Sequence, residues 1–145
     1  MADMLTPDFV RNIKILGHSD QGGRADGIQV MVSGGYAYVG HVFTGGFSVI
    51  DVRDPRTPRF VRHVPQPANT WSQHLQTFGD ILIVNNMKDM LRDATMNAGA
   101  YYKGSIGEKV DLASAGHAAG MRIYDISDRA NPREIAFVPV PGLGV

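Results

Sequence analysis

Apolar and polar residues alternate in short runs along this chain, and glycine, proline or aspartate separates the runs. A two-residue period predicts β-strands, and the turn formers between the runs predict short connections. We therefore expect two groups of four strands, at residues 28–32, 36–39, 47–52 and 59–64 and at residues 73–77, 81–85, 121–126 and 133–138.

The second group of strands repeats the first. Residues 46–67 align with residues 120–141 at an offset of 74, and eight of these 22 positions are identical. Upstream, QVMVSGGYAYVG (residues 29–40) aligns with HLQTFGDILIVN (residues 74–85) at an offset of 45. The second copy thus contains an insertion, which we place at residues 86–119. Four short strands in about 40–45 residues are typical of β-propeller blades.

The repeat predicts an all-β fold in which residues 1–145 form part of a β-propeller domain. Residues 28–64 and 73–138 would be four-stranded antiparallel blades, and residues 7–16 would be an outer strand that closes a blade formed elsewhere. Propellers have typically about four to eight blades. We therefore expect the chain to be the N-terminal part of a ring of six to eight blades, or to close a six-bladed ring as a homotrimer.

Two segments indicate a known family. FSVID (residues 47–51) and MRIYD (residues 121–125), each followed by a D-x-x-x-P turn, resemble the LVIVD repeats of bacterial and archaeal β-propeller proteins. The resemblance covers about residues 29–65 and 73–139. It implies a propeller but no agreed activity, because propellers host unrelated functions. The His-rich motifs of the related selenium-binding propellers are not seen, so methanethiol oxidation is not implied.

The aspartates of the repeat have a structural interpretation. Asp51 and Asp125 each end a strand where a turn begins, and a carboxylate at such a position accepts backbone N–H groups. We therefore predict that they cap turns rather than take part in catalysis.

The longer connections all fall at one end of the blades, which we call the loop-rich face. In an antiparallel meander, alternate connections share an end, and here they are residues 17–27, 40–46, 65–73 and 86–119. Binding residues are often found on such loops. The candidate ligand-binding residues of this face are His18, Asp20, Arg24, Asp26, Trp71, Gln73 and Asn85.

Histidines are the candidate metal ligands, since neutral imidazole binds Zn, Cu, Fe and Ni. Those on the loop-rich face are His18, His41, His74 and His117, whereas His63 is expected to be a surface or packing residue. No short metal-binding spacing is present, so a divalent metal would need ligands from separate blades. Polar loop histidines without a metal are the alternative, and no catalytic residue is assigned.

The insertion begins with a helix-like run in which Met87, Met90, Leu91 and Ala94 share one face. It would form either a short helix on its own blade or a lid or docking element at the channel mouth.

Composition limits the partners. Net charge is zero, with 14 basic and 14 acidic residues, which disfavours nucleic acid and anionic membranes. Cysteine is absent, so disulfides and thiol chemistry are excluded. The N-terminus lacks a signal-peptide pattern, so we expect a cytoplasmic protein. The sequence thus predicts a scaffold that binds a protein or small molecule. The alternative is a metal-dependent enzyme acting on a small polar substrate.

Overall fold

The computed structural model describes residues 11–89 and 119–140. These residues form nine β-strands and no helix, so the all-β prediction is confirmed. The strands are β1 (Gly27–Ser33), β2 (Tyr36–His41), β3 (Phe47–Asp51), β4 (Arg59–Val64), β5 (Thr70–Trp71), β6 (Leu75–Phe78), β7 (Ile81–Lys88), β8 (Gly120–Asp125) and β9 (Arg133–Pro139).

The first sheet, blade 1, is the predicted antiparallel meander β1-β2-β3-β4. Its first hairpin pairs Ser33 with Tyr36 across a two-residue loop. Both loop residues, Gly34 and Gly35, have positive φ (57° and 79°), which this tight hairpin requires and which glycine adopts without a steric penalty.

The second sheet, blade 2, follows the order β5-β7-β8-β9, with β6 also paired to β7. It therefore has one more strand than predicted. β7 continues to Lys88, past the pairing of Val84 with Leu75, the first residue of β6. Its last two residues pair with Thr70 and Trp71 of β5. The additional pairing satisfies backbone groups that would otherwise lack partners. It also corrects the predicted helix-like run, because Met87 and Lys88 belong to a strand; Met90, Leu91 and Ala94 lie outside the described residues.

The two blades share an irregularity that supports the repeat. The register between β3 and β4 shifts at Val49/Ile50. The register between β8 and β9 shifts at Ile123/Tyr124, the equivalent position at an offset of 74. Each outer strand thus holds one extra residue, Val61 or Ile135, at the same place, as in a β-bulge.

The main core lies between the blades. We call the side of blade 1 that meets blade 2 a forward face and the opposing side of blade 2 a backward face. The forward face contributes Met31, Tyr36, Tyr38, Phe47, Val49 and Val64, and the backward face contributes Leu75, Leu82, Val84, Tyr124 and Ile126. A smaller cluster of Ala37, Val39, Ile50 and Val52 lies on the backward side of blade 1.

Polar and aromatic contacts fix how the blades meet. The rings of Phe47 and Tyr124 pack edge to face with centroids 5.2 Å apart. The Tyr38 hydroxyl donates to the Arg129 carbonyl oxygen at 3.0 Å. Burial raises the pKa of Tyr38 to about 12, so this donor stays protonated.

The aspartates at the strand ends cap turns, as the sequence predicts. The Asp51 carboxylate accepts hydrogen bonds from the Arg53 backbone N–H (3.1 Å) and from the guanidinium groups of Arg53 and Arg59. Asp125 accepts the Ser127 N–H at 2.8 Å and pairs with Arg133. These hydrogen bonds lower the pKa of Asp125 to about 2.

The predicted closing strand is described only in part. Residues 1–10 lie outside the described residues, and residues 11–16 pair with neither sheet. Their strand partners would lie elsewhere, so this assignment stays a prediction. Within the described part of the chain no helix has the length and apolar character needed to span a membrane.

Gly40 provides a test of the blade contact. A methyl group at this position would lie 2.5 Å from the Ser72 carbonyl oxygen and 2.8 Å from that of Gln73. Because both neighbours are backbone atoms of blade 2, they have little freedom to move. We expect Gly40→Ala to lower the free energy of unfolding by about 1–3 kcal/mol. Urea unfolding followed by the fluorescence of Trp71, the single tryptophan of the chain, measures this change. An unaltered midpoint would show that the blades do not approach closely here.

Candidate functional site

A chain of hydrogen bonds joins three side chains on the loop-rich face. Asp26 lies just before β1, His41 ends β2, and Ser48 lies in β3. His41 Nδ1 is 3.0 Å from Asp26 Oδ1, and His41 Nε2 is 2.8 Å from Ser48 Oγ. The antiparallel register places Val39 opposite Ser48, so His41 projects beyond this pair and still reaches the serine hydroxyl.

The surroundings keep His41 neutral. The side chain is fully buried, and burial lowers its pKa even though the Asp26 carboxylate opposes this effect. A neutral imidazole has one N–H and one acceptor nitrogen. We therefore assign the N–H to Nδ1, which donates to Asp26, and Nε2 accepts the Ser48 hydroxyl hydrogen.

Asp26 also holds the β2–β3 loop in place. Its Oδ2 accepts the backbone N–H groups of Phe43 and Thr44, both at 2.7 Å, and its Oδ1 accepts the Thr44 hydroxyl at 3.0 Å. Burial alone would raise the pKa of Asp26, but these hydrogen bonds outweigh it and the pKa is lowered. The ionised carboxylate thus fixes a loop whose Phe43 side chain remains 56% exposed.

The Asp–His–Ser chain has the hydrogen-bond order of a hydrolase triad but lacks access to a substrate. Ser48 is fully buried, and its hydroxyl also lies 3.5 Å from the Gln21 carbonyl oxygen. A nucleophile must reach a substrate carbonyl, which this serine cannot do in the observed packing. The three groups therefore act as an internal support for the loop.

Blade architecture does not require this hydrogen-bond chain. At the repeat offsets, Asp26, His41 and Ser48 correspond to Trp71, Asn86 and Arg122 of blade 2. Blade 2 thus forms the four equivalent strands without an acid–imidazole–hydroxyl series. The Asp–His–Ser chain is an addition particular to blade 1.

A second histidine lies beside the first. The rings of His41 and His63 have centroids 5.8 Å apart, and His63 Nε2 is 2.8 Å from the Gly45 carbonyl oxygen. Partial burial lowers the pKa of His63. The Arg24 guanidinium also acts on His63 electrostatically, and its Cζ atom lies 6.0 Å from the centroid of the Phe60 ring. His63 thus has the packing role that the sequence suggests, against the loop that Asp26 holds.

The remaining candidates from residues 17–26 lie apart from this centre. Asp20 Oδ1 accepts the Gly22 N–H at 3.0 Å, which makes it part of a local turn. His18 is exposed and lines a depression of about 350 Å³ on the backward side of blade 1. The structure therefore brings Asp26, Arg24 and His41 together but does not add His18 or Asp20 to them.

Another group of candidates joins the inner strands of the two blades. Gln29 Oε1 accepts the Leu75 N–H at 2.7 Å and lies 3.3 Å from His74 Nδ1. Asn85 Oδ1 accepts the His74 N–H at 2.7 Å. Gln29 and His74 occupy equivalent repeat positions, so neighbouring blades meet at equivalent places near the start of their inner strands. His74 itself is exposed, whereas Asn85 supports its backbone.

Trp71, Ser72 and Gln73 form the break between β5 and β6. Trp71 and Ser72 are buried, and among the described residues neither Trp71 Nε1 nor Ser72 Oγ has a hydrogen-bond partner. The sequence places this stretch in a loop, whereas Trp71 lies in a strand. It is thus part of the sheet rather than an exposed binding residue.

The predicted metal ligands do not form a centre within the described residues. No three His, Asp or Glu side chains of residues 11–89 and 119–140 are grouped so that they would hold a metal ion. Both ring nitrogens of His41 already have protein partners, and His117 lies outside the described residues. Metal binding therefore stays a prediction.

Sequence reasoning missed Phe43, Thr44 and Ser48. The available signal was the segment GHVFTGG, in which a loop of small residues holds one phenylalanine next to a histidine. The contact of Ser48 with His41 depends on strand register, which the repeat alignment alone does not provide.

Buried His41 and partly buried His63 make stability depend on pH. Their pKa values are lower in the folded chain than the ordinary value of 6.5, so the unfolded chain binds more protons below that pH. Stability is therefore complete above about pH 6.5 and is lost as the pH falls, by at most about 1.4 kcal/mol per pH unit for each histidine. Urea unfolding at pH 7.5 and pH 5.5 measures the loss.

The His41→Asn/His63→Asn double variant removes both groups and is expected to lose most of this dependence. If the double variant keeps the pH dependence of the parent chain, titration of these histidines is not its source.

Comparison with known proteins agrees with the sheet geometry. Residues 22–65 match the family model of the LVIVD repeat, a range that includes all four strands of blade 1. No curated protein and no solved structure matches the chain. Blade 2 repeats the strand order of the matched segment and its bulge at the equivalent position. Residues 22–65 therefore contain an LVIVD repeat, and the two sheets are consistent with neighbouring blades of a β-propeller.

Proposed function

We propose that this propeller-type scaffold binds a partner, most favourably a protein, through the loop-rich face of blade 1. The observation that carries the proposal is the β2–β3 loop. Its Phe43 side chain is 56% exposed, while three backbone and hydroxyl groups of the loop are bound to the Asp26 carboxylate. An aromatic side chain presented by a rigid loop loses little conformational entropy on binding.

The support beneath the loop favours binding over catalysis. Asp26, His41 and Ser48 use their polar atoms on one another and on the loop backbone. Exposed aromatic residues on such a base often dominate the affinity of protein interfaces. A small-molecule ligand is the other partner class that the sequence predicts.

Among the described residues no group of side chains favours a metal-dependent enzyme. The absence of nucleic-acid and membrane partners and the cytoplasmic location remain predictions from the sequence.

A peptide library displayed on phage provides a probe when the natural partner is unidentified. The library is selected on the parent chain, and each selected peptide is measured against Phe43→Ala and Phe78→Ala. Phe78 is a suitable matched control because it is an 88% exposed phenylalanine of blade 2 and lies at the end away from the loop-rich face. Loss of an interface anchor costs about 2 kcal/mol, so we expect Phe43→Ala to weaken the peptides about 30-fold.

Phe78→Ala is expected to leave the affinity within about twofold. Peptides that bind Phe43→Ala as tightly as the parent chain would contradict the proposal. A failure of the library to yield any binder would do the same.

A further inference from the structure

Within the described residues, each blade has a second apolar face on which no other described sheet packs. The repeat offsets identify the second face of each blade. Residues of blade 2 that are equivalent to the forward face of blade 1 form the forward face of blade 2. Residues of blade 1 that are equivalent to the backward face of blade 2 form the backward face of blade 1. The forward-face counterparts on blade 2 are Gln76, Ile81, Ile83, Met121, Ile123 and Val138. The backward-face counterparts on blade 1 are Val30, Ala37, Val39, Ile50 and Val52.

Exposure differs strongly at two pairs of equivalent positions, whereas Ala37, Val39 and Ile50 are already buried within the chain. Tyr38 is completely buried between the blades, whereas its counterpart Ile83 is 37% exposed. Leu75 is 1% exposed, whereas its counterpart Val30 is 56% exposed. Every counterpart except Gln76 is apolar, so these faces have the composition of a blade contact without the second blade.

The shape of the blade 1 backward face also suits an incoming blade. Residues 17–21 run beside β1, and between them lies a depression of about 350 Å³ whose lining includes Ala37, Val39 and Ile50. Side chains of β1 border it, with Val32 61% exposed. Ridges of a forward face, such as Ile83 and Met121 on blade 2, have the size and chemistry to enter it.

We infer that copies of this chain associate head to tail, with the forward face of blade 2 of one copy packed on the backward face of blade 1 of the next. The contact repeats the one already formed inside each chain. In this arrangement His74 of one copy takes the place that Gln29 has in the internal contact, next to the Val30 N–H of the neighbour.

A heterologous contact closes into a ring when its rotation divides a full turn evenly, as the contacts between propeller blades do, and otherwise forms an open filament. Two, three or four copies of the pair of described blades would supply the about four to eight blades of a propeller ring. This inference does not depend on the binding role of Phe43, which lies on the loop-rich face and not on either uncovered face.

The test uses the full chain with a charge placed on one face at a time. Val30→Asp disables the backward face of blade 1, and Ile83→Asp disables the forward face of blade 2. Both positions are partly exposed within one chain, so the substitutions are compatible with folding. Val61→Asp is the matched control, since Val61 is 39% exposed on the outer strand of blade 1 and outside both faces.

Sedimentation velocity at micromolar concentration should show the parent chain and Val61→Asp as one closed species of two to four copies. Each single-face variant alone should sediment as a monomer. An equimolar mixture of Val30→Asp and Ile83→Asp should form a heterodimer and nothing larger, because one intact contact remains. Circular dichroism confirms that each variant retains its β structure.

Two results would overturn the inference. A parent chain that stays monomeric at these concentrations would show that the uncovered faces do not join copies. A single-face variant that still dimerises with itself would show a symmetric contact through one face.

Discussion

Burial of both sides of each sheet is the constraint on which this structure depends. A four-stranded meander of this composition has apolar residues on its two faces, and one face of each blade is satisfied by the other blade. Tyr38, Phe47 and Tyr124 fill the space between them. The approach is close because Gly40 has no side chain where the backbone of blade 2 passes.

The polar network of blade 1 shows how access to solvent decides what a set of chemical groups does. Aspartate, histidine and serine are joined in the order that hydrolases use. Here the serine and the histidine are fully buried, and the second carboxylate oxygen of the aspartate accepts hydrogen bonds from backbone N–H groups of a loop. The same groups that would activate a nucleophile at a surface instead hold a loop in one conformation.

Much of the fold follows from the sequence because the repeat reports strand positions twice. The alternation of apolar residues and the D-x-x-x-P turns place eight strands with errors of a few residues. β5 could not be found this way, because a strand of two residues has no period. It exists only because β7 extends to Lys88. The candidate site is less predictable, since His41 meets Ser48 and His63 through strand pairing. Asp26 is correctly selected, but its role depends on the loop that it binds.

The shared bulge has a consequence for how such units can be multiplied. An extra residue in the middle of β4 and β9 bends the outermost strand and interrupts its regular row of outward backbone donors and acceptors. β9 is exposed along its whole length and would otherwise offer a template to any extended peptide. The bend therefore disfavours pairing along this edge and favours packing of blades face to face. Blades can thus be added around an axis while their outermost strands do not pair into one continuous sheet.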